Sequence, residues 1–332
     1  MNILVTGGAG FIGSNFIRYM QKAYPHYQIV NYDLLTYAGN VESVKDLAKQ
    51  KNYTFVKGDI TNHELVNRIV KSHSIDTIVN FAAESHVDRS IKEPGVFVKS
   101  NVLGTQVLLD VAKNNHVKKY VQVSTDEVYG SLGEQGYFTE ETSLAPNSPY
   151  SASKAGADMM VRAYYETFGL HVNITRCSNN YGPYQFPEKF VPRMITHALA
   201  GKKLPIYGDG KNVRDWLHVK DHCSAIDLVL HKGKQGEVYN IGGQNERTNN
   251  EVVQFIVEKV GASPSLITFV EDRLGHDYRY AIDATKIRST LGWEPVYTFE
   301  QGMSETISWY INHPQWWKCR ENVENVCGYK KR

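Results

Sequence analysis

The stretch Asn2-Ile3-Leu4-Val5-Thr6-Gly7-Gly8-Ala9-Gly10-Phe11-Ile12-Gly13 decides the fold. Its first five residues form a short apolar run of strand character, and Phe16, Ile17 and Met20 recur beyond it at helical spacing. Between them Gly8, Gly10 and Gly13 fit G-x-G-x-x-G, while Gly7, Gly10 and Gly13 fit the wider-spaced variant. Glycines there permit a tight turn, let backbone approach a pyrophosphate, and allow close helix-on-strand packing. The helix that follows offers its unpaired N–H groups to the phosphates. Ile29-Val30-Asn31-Tyr32-Asp33 reads as a second strand, and Asp33 stands twenty residues beyond Gly13. A carboxylate at that place binds a ribose 2′-hydroxyl and repels a 2′-phosphate, so the expected dinucleotide is NAD rather than NADP. A glycine motif alone is weak; strand, helix and acid around it make this one strong.

Strands and helices then alternate. Tyr53–Ile60 reads as a strand with Asp59 at its carboxyl end, and Ile75–Ala83 as the next, where small Ala82 and Ala83 leave room for a cofactor. Beyond it Glu84-Ser85-His86-Val87-Asp88-Arg89-Ser90 is a dense polar cluster; no third partner at suitable spacing makes His86 and Asp88 a metal site or a triad. Val102–Asn114 is predicted helical, its apolar residues serving core or dimer contact. Lys119–Thr125 and Val172–Arg176 are further strands. This order predicts an α/β fold: a Rossmann-type, doubly wound parallel sheet with its ligand crevice at the carboxyl ends of the strands.

From Pro183 onward the alternation breaks, with Pro187, Pro192 and Pro205 among several aromatics. A smaller α/β substrate domain is expected there. The NAD-binding unit is placed at residues 1–178 with returns near 212–238 and 279–292, and the second at 179–211, 239–278 and 293–332. Within it, Gly208-Asp209-Gly210 is a turn, Val238–Ile241 and Ile267–Val270 are strands, and Asn249–Val260 is a helix. Trp293, Trp309, Trp316 and Trp317 are read as core.

Composition narrows the classes. A 332-residue chain with 42% hydrophobic and 22% charged residues is an ordinary globular protein of about two domains. A net charge of +2 with dispersed basic residues argues against a nucleic-acid footprint. Cys177, Cys223, Cys319 and Cys327 show no CxxC spacing, so neither zinc nor a disulfide framework is indicated. With no leader-like start and no run of about 18 apolar residues, a cytoplasmic location and no membrane contact are expected.

The chemistry gathers between Lys119 and Lys154. Ser124-Thr125-Asp126-Glu127-Val128-Tyr129-Gly130 sets two carboxylates at a strand end, and Tyr150-Ser151-Ala152-Ser153-Lys154 follows a polar loop. On a helix Tyr150 and Lys154 share a face. An ammonium beside a phenol favours the phenolate. Moving a phenol from about 10 to about 7 takes roughly 4 kcal/mol, most of which one charge at about 4 to 5 Å supplies when the effective dielectric is near 20. A nearby nicotinamide cation supplies the remainder, making Tyr150 a base for an alcohol proton. Adjacent carboxylates serve as acid and base when repulsion and desolvation keep one protonated. Consecutive side chains on a strand point oppositely, so the backbone at Asp126-Glu127 is predicted to have left strand geometry.

These features resemble the extended short-chain dehydrogenase/reductase superfamily. Leu35-Thr36-Tyr37-Ala38-Gly39-Asn40, Ala82–Ser90, Ser124–Gly130, Ser178-Asn179-Asn180-Tyr181-Gly182-Pro183-Tyr184, Leu204–Gly208 and Arg214-Asp215-Trp216 are similar, over essentially the whole chain, to the dTDP-glucose 4,6-dehydratases. The resemblance implies a lyase of deoxysugar (rhamnose) synthesis that oxidises C4 of the hexose with NAD, eliminates water across C5–C6 and returns hydride to C6. It assigns catalysis to Thr125, Asp126, Glu127, Tyr150 and Lys154. The cofactor contacts it implies are Gly7, Gly10, Phe11, Ile12, Gly13, Asp33, Leu34, Leu35, Thr36, Asp59 and Ile60. Phe81, Ala82, Ala83, Ser85, Ser100 and Asn180 join them, with Tyr150 and Lys154. Contacts to the nucleotide sugar fall to Ser85, Thr125, Asn179, Lys189, Phe190, Pro205, Ile206, Tyr207, Arg214, Asn249, Arg273 and His276. Leu274 departs from the proline frequent in the family. A homodimer built on the helices near 102–114 and 151–168 is also implied. The rival readings are an epimerase or 4,6-dehydratase using a UDP-, CDP- or GDP-sugar, and an NAD-sensing regulator without catalysis; the regulator is expected to lack part of the Tyr, Lys and acidic set, all of which stands here.

Overall fold

A computed structural model describes residues 1–272 and 275–321. Its strands are β1 Asn2–Thr6, β2 Gln28–Asp33, β3 Tyr53–Lys57, β4 Thr77–Asn80, β5 Lys119–Thr125 and β6 Val172–Cys177. They are followed by β7 Asn179–Tyr181, β8 Leu204–Tyr207, β9 Val213–His218, β10 Val238–Ile241, β11 Glu246–Thr248 and β12 Ile267–Val270. Seven strands form one sheet in the order β10-β6-β5-β4-β1-β2-β3, every pairing parallel. The order reverses between β1 and β4, which opens the crevice of a doubly wound sheet.

Both faces of this sheet are buried, as a parallel sheet requires. Successive residues of β1 serve opposite cores: Ile3 and Val5 pack with Cys223, Ile226, Ile241 and Trp293, whereas Leu4 packs with Ile78, Leu108 and Val161. A third core joins the Phe190–Leu199, Asn249–Val260 and Phe299–Asn312 helices to the sheets β11-β9-β7 and β12-β8. Trp317 is buried there with Trp309 and Trp316 against it.

Three expectations need correcting. The strands expected over 53–60 and 75–83 end at Lys57 and Asn80. The neighbour of β3, β2, stops at Asp33, whose O takes Gly58 N; β4 loses β1 after Thr6, whose O takes Phe81 N, and leaves β5 after pairing Asn80 with Gln122. The predicted 102–114 helix is α-helical only from Gly104; Val98–Leu103 is π-helical and turns Asn101 inward, where its side chain binds Glu84 N and O and Ser153 Oγ. A boundary at residue 239 cuts β10, the outermost strand beside β6 in the large sheet, while β9 pairs with β7 and β11 instead. The Val219–Lys232 helix explains both: it leaves β9 and lays Cys223, Ile226 and Val229 on the large sheet. Among the described residues, no helix is long and apolar enough to cross a membrane.

Gly7 has φ +70°, and a Cβ there would lie 2.6 Å from Ala82 N. Gly7→Ala is expected to cost at least about 2 kcal/mol through strain and overpacking, read as a lower urea midpoint; an unchanged midpoint contradicts the tight approach of glycine loop and β4.

Candidate active site

The carboxyl ends of the central strands open into a cleft of about 310 Å³. The glycine loop contributes Gly7, Gly10, Phe11, Ile12 and Gly13; the chain after β2 adds Asp33, Leu34 and Thr36; Asp59, Ile60, Phe81, Ala82, Ala83, Ser85, Ser100 and Asn180 complete that side. Leu35 is the exception among the expected cofactor contacts. Asp33 Oδ1 accepts Leu35 N at 2.7 Å, the turn puts Leu35 at φ +59°, and its side chain packs on the core instead. Asp33 Oδ2 accepts Ala9 N at 2.9 Å, so one carboxylate ties the second strand to the glycine loop. Burial pushes its pKa up and those two N–H groups oppose the push. A bare glycine floor, a helix starting at Phe11 and an acid at its rim fit a dinucleotide.

The five expected catalytic residues line the same cleft. As predicted, the chain leaves strand geometry at the acidic pair: Asp126–Tyr129 is a 3-10 turn, capped by Thr125 Oγ1, which accepts Glu127 N at 3.2 Å. That hydroxyl also donates to Asp126 Oδ1 at 3.3 Å. Asp126 is 1% exposed, and its Oδ2 finds no hydrogen-bond partner among the described residues. Burial, then the charges of Glu127 and Asp215, raise its pKa well above the carboxylate range, against Arg214 and the Thr125 bond. These surroundings favour the protonated form of Asp126.

Tyr150 and Lys154 lie in the Pro149–Phe168 helix, which starts sharply: Ser148 and Ser151 form a reciprocal capping box and Pro149 stands in the first turn. Lys154 Nζ donates to Val123 O at 2.7 Å, and other groups shift the phenol most in the protein alone. Burial raises Tyr150 well above 10, Glu127, Cys177 and Asp126 raise it further, and a Thr125 hydrogen bond opposes them. Burial also lowers Lys154. These surroundings favour the protonated phenol, and a positive charge in the cleft opposes them.

On the far side Asn179 and Lys189 line the cleft, and Lys189 Nζ donates to Ser85 O at 2.6 Å. Ser85 and Thr125 also line it, whereas Phe190, Pro205, Ile206, Tyr207, Arg214, Asn249 and His276 stand outside this lining. Phe190 stacks on Trp216, Ile206 is core, and Asn249 is buried with its N–H on Asn212 O. Half-buried Pro205 stands in β8 beside β12. Tyr207 Oη donates to Asp88 Oδ2 at 3.4 Å, and His276 Nδ1 lies 2.6 Å from Asp272 Oδ1. Arg214 donates to the carbonyls of Val213, Tyr278 and Asp277. Arg273 and Leu274 lie outside the described residues. Sequence reasoning missed Glu84, Cys177, Ser178, Gln185 and Glu188, which also line the cleft. Their signal was adjacency to Ser85, Asn179 and Lys189.

Because the folded state raises the Asp126 pKa, Asp126 stabilises the fold below the unfolded carboxyl value, and that stability is lost as pH rises through the folded value. Asp126→Asn is expected to raise the melting temperature at neutral and alkaline pH and to flatten its alkaline decline. A lower melting temperature across that range contradicts a protonated Asp126.

The GDP-mannose 4,6 dehydratase family model matches residues 4–306. A dTDP-glucose 4,6-dehydratase of Xanthomonas campestris pv. campestris (strain B100) is 53% identical over 331 residues, covering 94% of each chain. A crystal structure of dTDP-glucose 4,6-dehydratase from Bacillus anthracis str. Ames in complex with NAD is 59% identical, with TM-score 0.91 over 96% of this chain and 99% of that one. DesIV, a dTDP-glucose 4,6-dehydratase from Streptomyces venezuelae with NAD and TYD bound, is 49% identical with TM-score 0.94 over 96% and 100%. With these likenesses spanning the glycine loop, the acidic turn and the Tyr150 helix alike, the chain belongs to the dTDP-glucose 4,6-dehydratase family.

Proposed function

We propose that this chain converts dTDP-glucose into dTDP-4-keto-6-deoxy-glucose and water. The observation that carries the reading is the buried Asp126 side by side with Glu127 on one turn, in one cleft with Tyr150. An epimerase or a sensor has no use for an acid and a base side by side. NAD, held by the glycine loop, Asp33 and Lys154, takes the C4 hydride and later returns it to C6.

Tyr150 receives the 4-hydroxyl proton, Thr125 hydrogen-bonds that oxygen, and Lys154 holds the ribose side of the cofactor. A C5–H is too weakly acidic for a carboxylate until C4 is a ketone, so oxidation precedes elimination. Glu127 then removes the C5 proton while Asp126 gives its own to the departing 6-hydroxyl, which leaves as water. Glu127 returns a proton to C5 as C6 is reduced. Lys189, Arg214 and His276 supply cationic or hydrogen-bonding groups for the pyrophosphate.

The second copy in a homodimer covers the outer face of the helices around 87–103 and 149–168, where Ile91, Val96, Val98, Leu103 and Met159 are exposed. An apolar set of that extent marks a protein interface. Leu103→Glu with Met159→Glu is expected to shift the light-scattering mass from dimer to monomer; a wild-type monomer contradicts the assignment.

Supplying dTDP-, UDP-, CDP- and GDP-glucose with NAD and following the 4-keto product tests the substrate, with dTDP-glucose expected to lead. Tyr150→Phe is expected to lower kcat by about 10²- to 10⁴-fold. Glu127→Gln is expected to abolish solvent-deuterium entry at C5; normal exchange would remove Glu127 from the role.

A further inference from the structure

Outside the cleft, one buried cation ties together the two elements that carry the reacting groups. Arg176 stands on β6, 4% exposed, directly before Cys177 and Ser178 of the cleft wall. Its Nε donates to Asp158 Oδ2 at 2.9 Å, and Asp158 is fully buried. Its Nη1 donates to Tyr129 Oη at 3.0 Å, with the guanidinium 4.9 Å from the Tyr129 ring centre. Each partner stands about one turn from a group that meets substrate. Asp158 follows Lys154 by four residues on the Pro149–Phe168 helix, and Tyr129 closes the 3-10 turn opened by Asp126 and Glu127.

The link extends outward. Tyr129 Oη donates to Asn240 Oδ1 at 2.8 Å; Asn240 in turn donates from Nδ2 to Phe138 O at 3.1 Å and from its backbone N to Glu140 Oε1 at 2.8 Å. Net stability is a weak reason for such a group, because desolvation of a buried ion pair offsets most of its attraction and an apolar pair serves as well. What a guanidinium fork adds is direction, since it fixes two partners at set angles.

We propose that Arg176, acting through Asp158 and Tyr129, is a positioning residue that sets the acidic turn against the Tyr150–Lys154 helix and so aligns elimination with oxidation. This rests on the dehydratase reading. The two elements differ in their other supports. The helix has its capping box and the Lys154–Val123 bond, whereas the acidic turn has the Thr125 cap and a Val128 carbonyl bonded by Ala145 N. Freed from Arg176, the turn shifts further than the helix, and the half-reaction of Asp126 and Glu127 suffers first.

The test uses the full chain with NAD and dTDP-glucose, with Tyr129→Phe and Arg176→Lys as variants. Tyr129→Phe keeps the ring and deletes only the hydroxyl that joins Arg176 to Asn240; Arg176→Lys keeps the charge and loses the fork. Both are expected to lower kcat by about tenfold to a hundredfold, the scale of an ångström-level misplacement, with KM within about twofold. Reduced nicotinamide is expected to accumulate above its wild-type level during turnover, and solvent-deuterium entry at C5 to slow more than C4 oxidation. Melting curves establish folding, and Tyr129→Phe alone carries the test if Arg176→Lys does not fold. Oxidation and C5 exchange falling equally, or a lower melting temperature with unchanged kcat, overturns the positioning role. Wild-type protein that leaves dTDP-glucose untouched overturns the dehydratase reading instead.

Discussion

A carboxylate taken out of water beside a second carboxylate keeps its proton or unfolds its surroundings, and the arrangement around Asp126 follows from that constraint. Behind the acidic turn stands a second charged pair from β9, Arg214 and Asp215, and both shift Asp126, in opposite senses. Each is itself restrained. Asp215 accepts Gly243 N at 2.8 Å and Asn245 N at 2.7 Å, while Arg214 is held on three carbonyls and lies 4.3 Å from the Tyr280 ring centre. The small sheet thus does more than border the cleft: it adds two opposed charges to the burial and the Glu127 carboxylate that raise Asp126.

The large sheet solves a different problem. Its strands end together, and turns of different design then carry side chains into the opening. Thr125 caps the acidic turn, Asp33 ties β2 to the glycine loop, and Asn101 in its π-helical turn clamps Glu84 to Ser153. The last of these joins the Ser85 loop to the helix that holds Lys154. In each case a polar side chain satisfies backbone groups that the sheet has left unpaired, and the same bond fixes a reacting or binding group.

The parts legible in sequence were those with local causes. The glycine loop, the Asp33 strand end, the Pro149–Phe168 helix and the departure of Asp126-Glu127 from strand geometry each follow from neighbours in the chain. Strand ends were misread where pairing partners set them, as at Lys57 and Asn80. Leu35 was misplaced because a single Asx bond reverses its side chain. The Tyr150–Lys154 pair had the right spacing, yet spacing does not show that one of the three ammonium donors is taken by a carbonyl of β5. Arg176, Asp158 and Tyr129 lie far apart in sequence, and no periodicity joins them.

Proton bookkeeping ties these residues into one cycle. On the proposed mechanism Tyr150 begins without its proton and ends with the one from the 4-hydroxyl, while Asp126 begins with a proton and loses it to the departing water. Glu127 takes a proton from C5 and gives one back, so it ends unchanged. The enzyme is restored only when one proton passes from Tyr150 to Asp126. Thr125 stands between the two acids: its hydroxyl donates to Asp126 Oδ1, and its influence on Tyr150 opposes the rise caused by burial. On the proposed mechanism a hydroxyl there, able both to donate and to accept, suits the return of that proton. Burial raises both acids, so the return depends on the cationic partner: a positive charge back in the cleft favours the phenolate, while burial and Glu127 favour the protonated carboxyl.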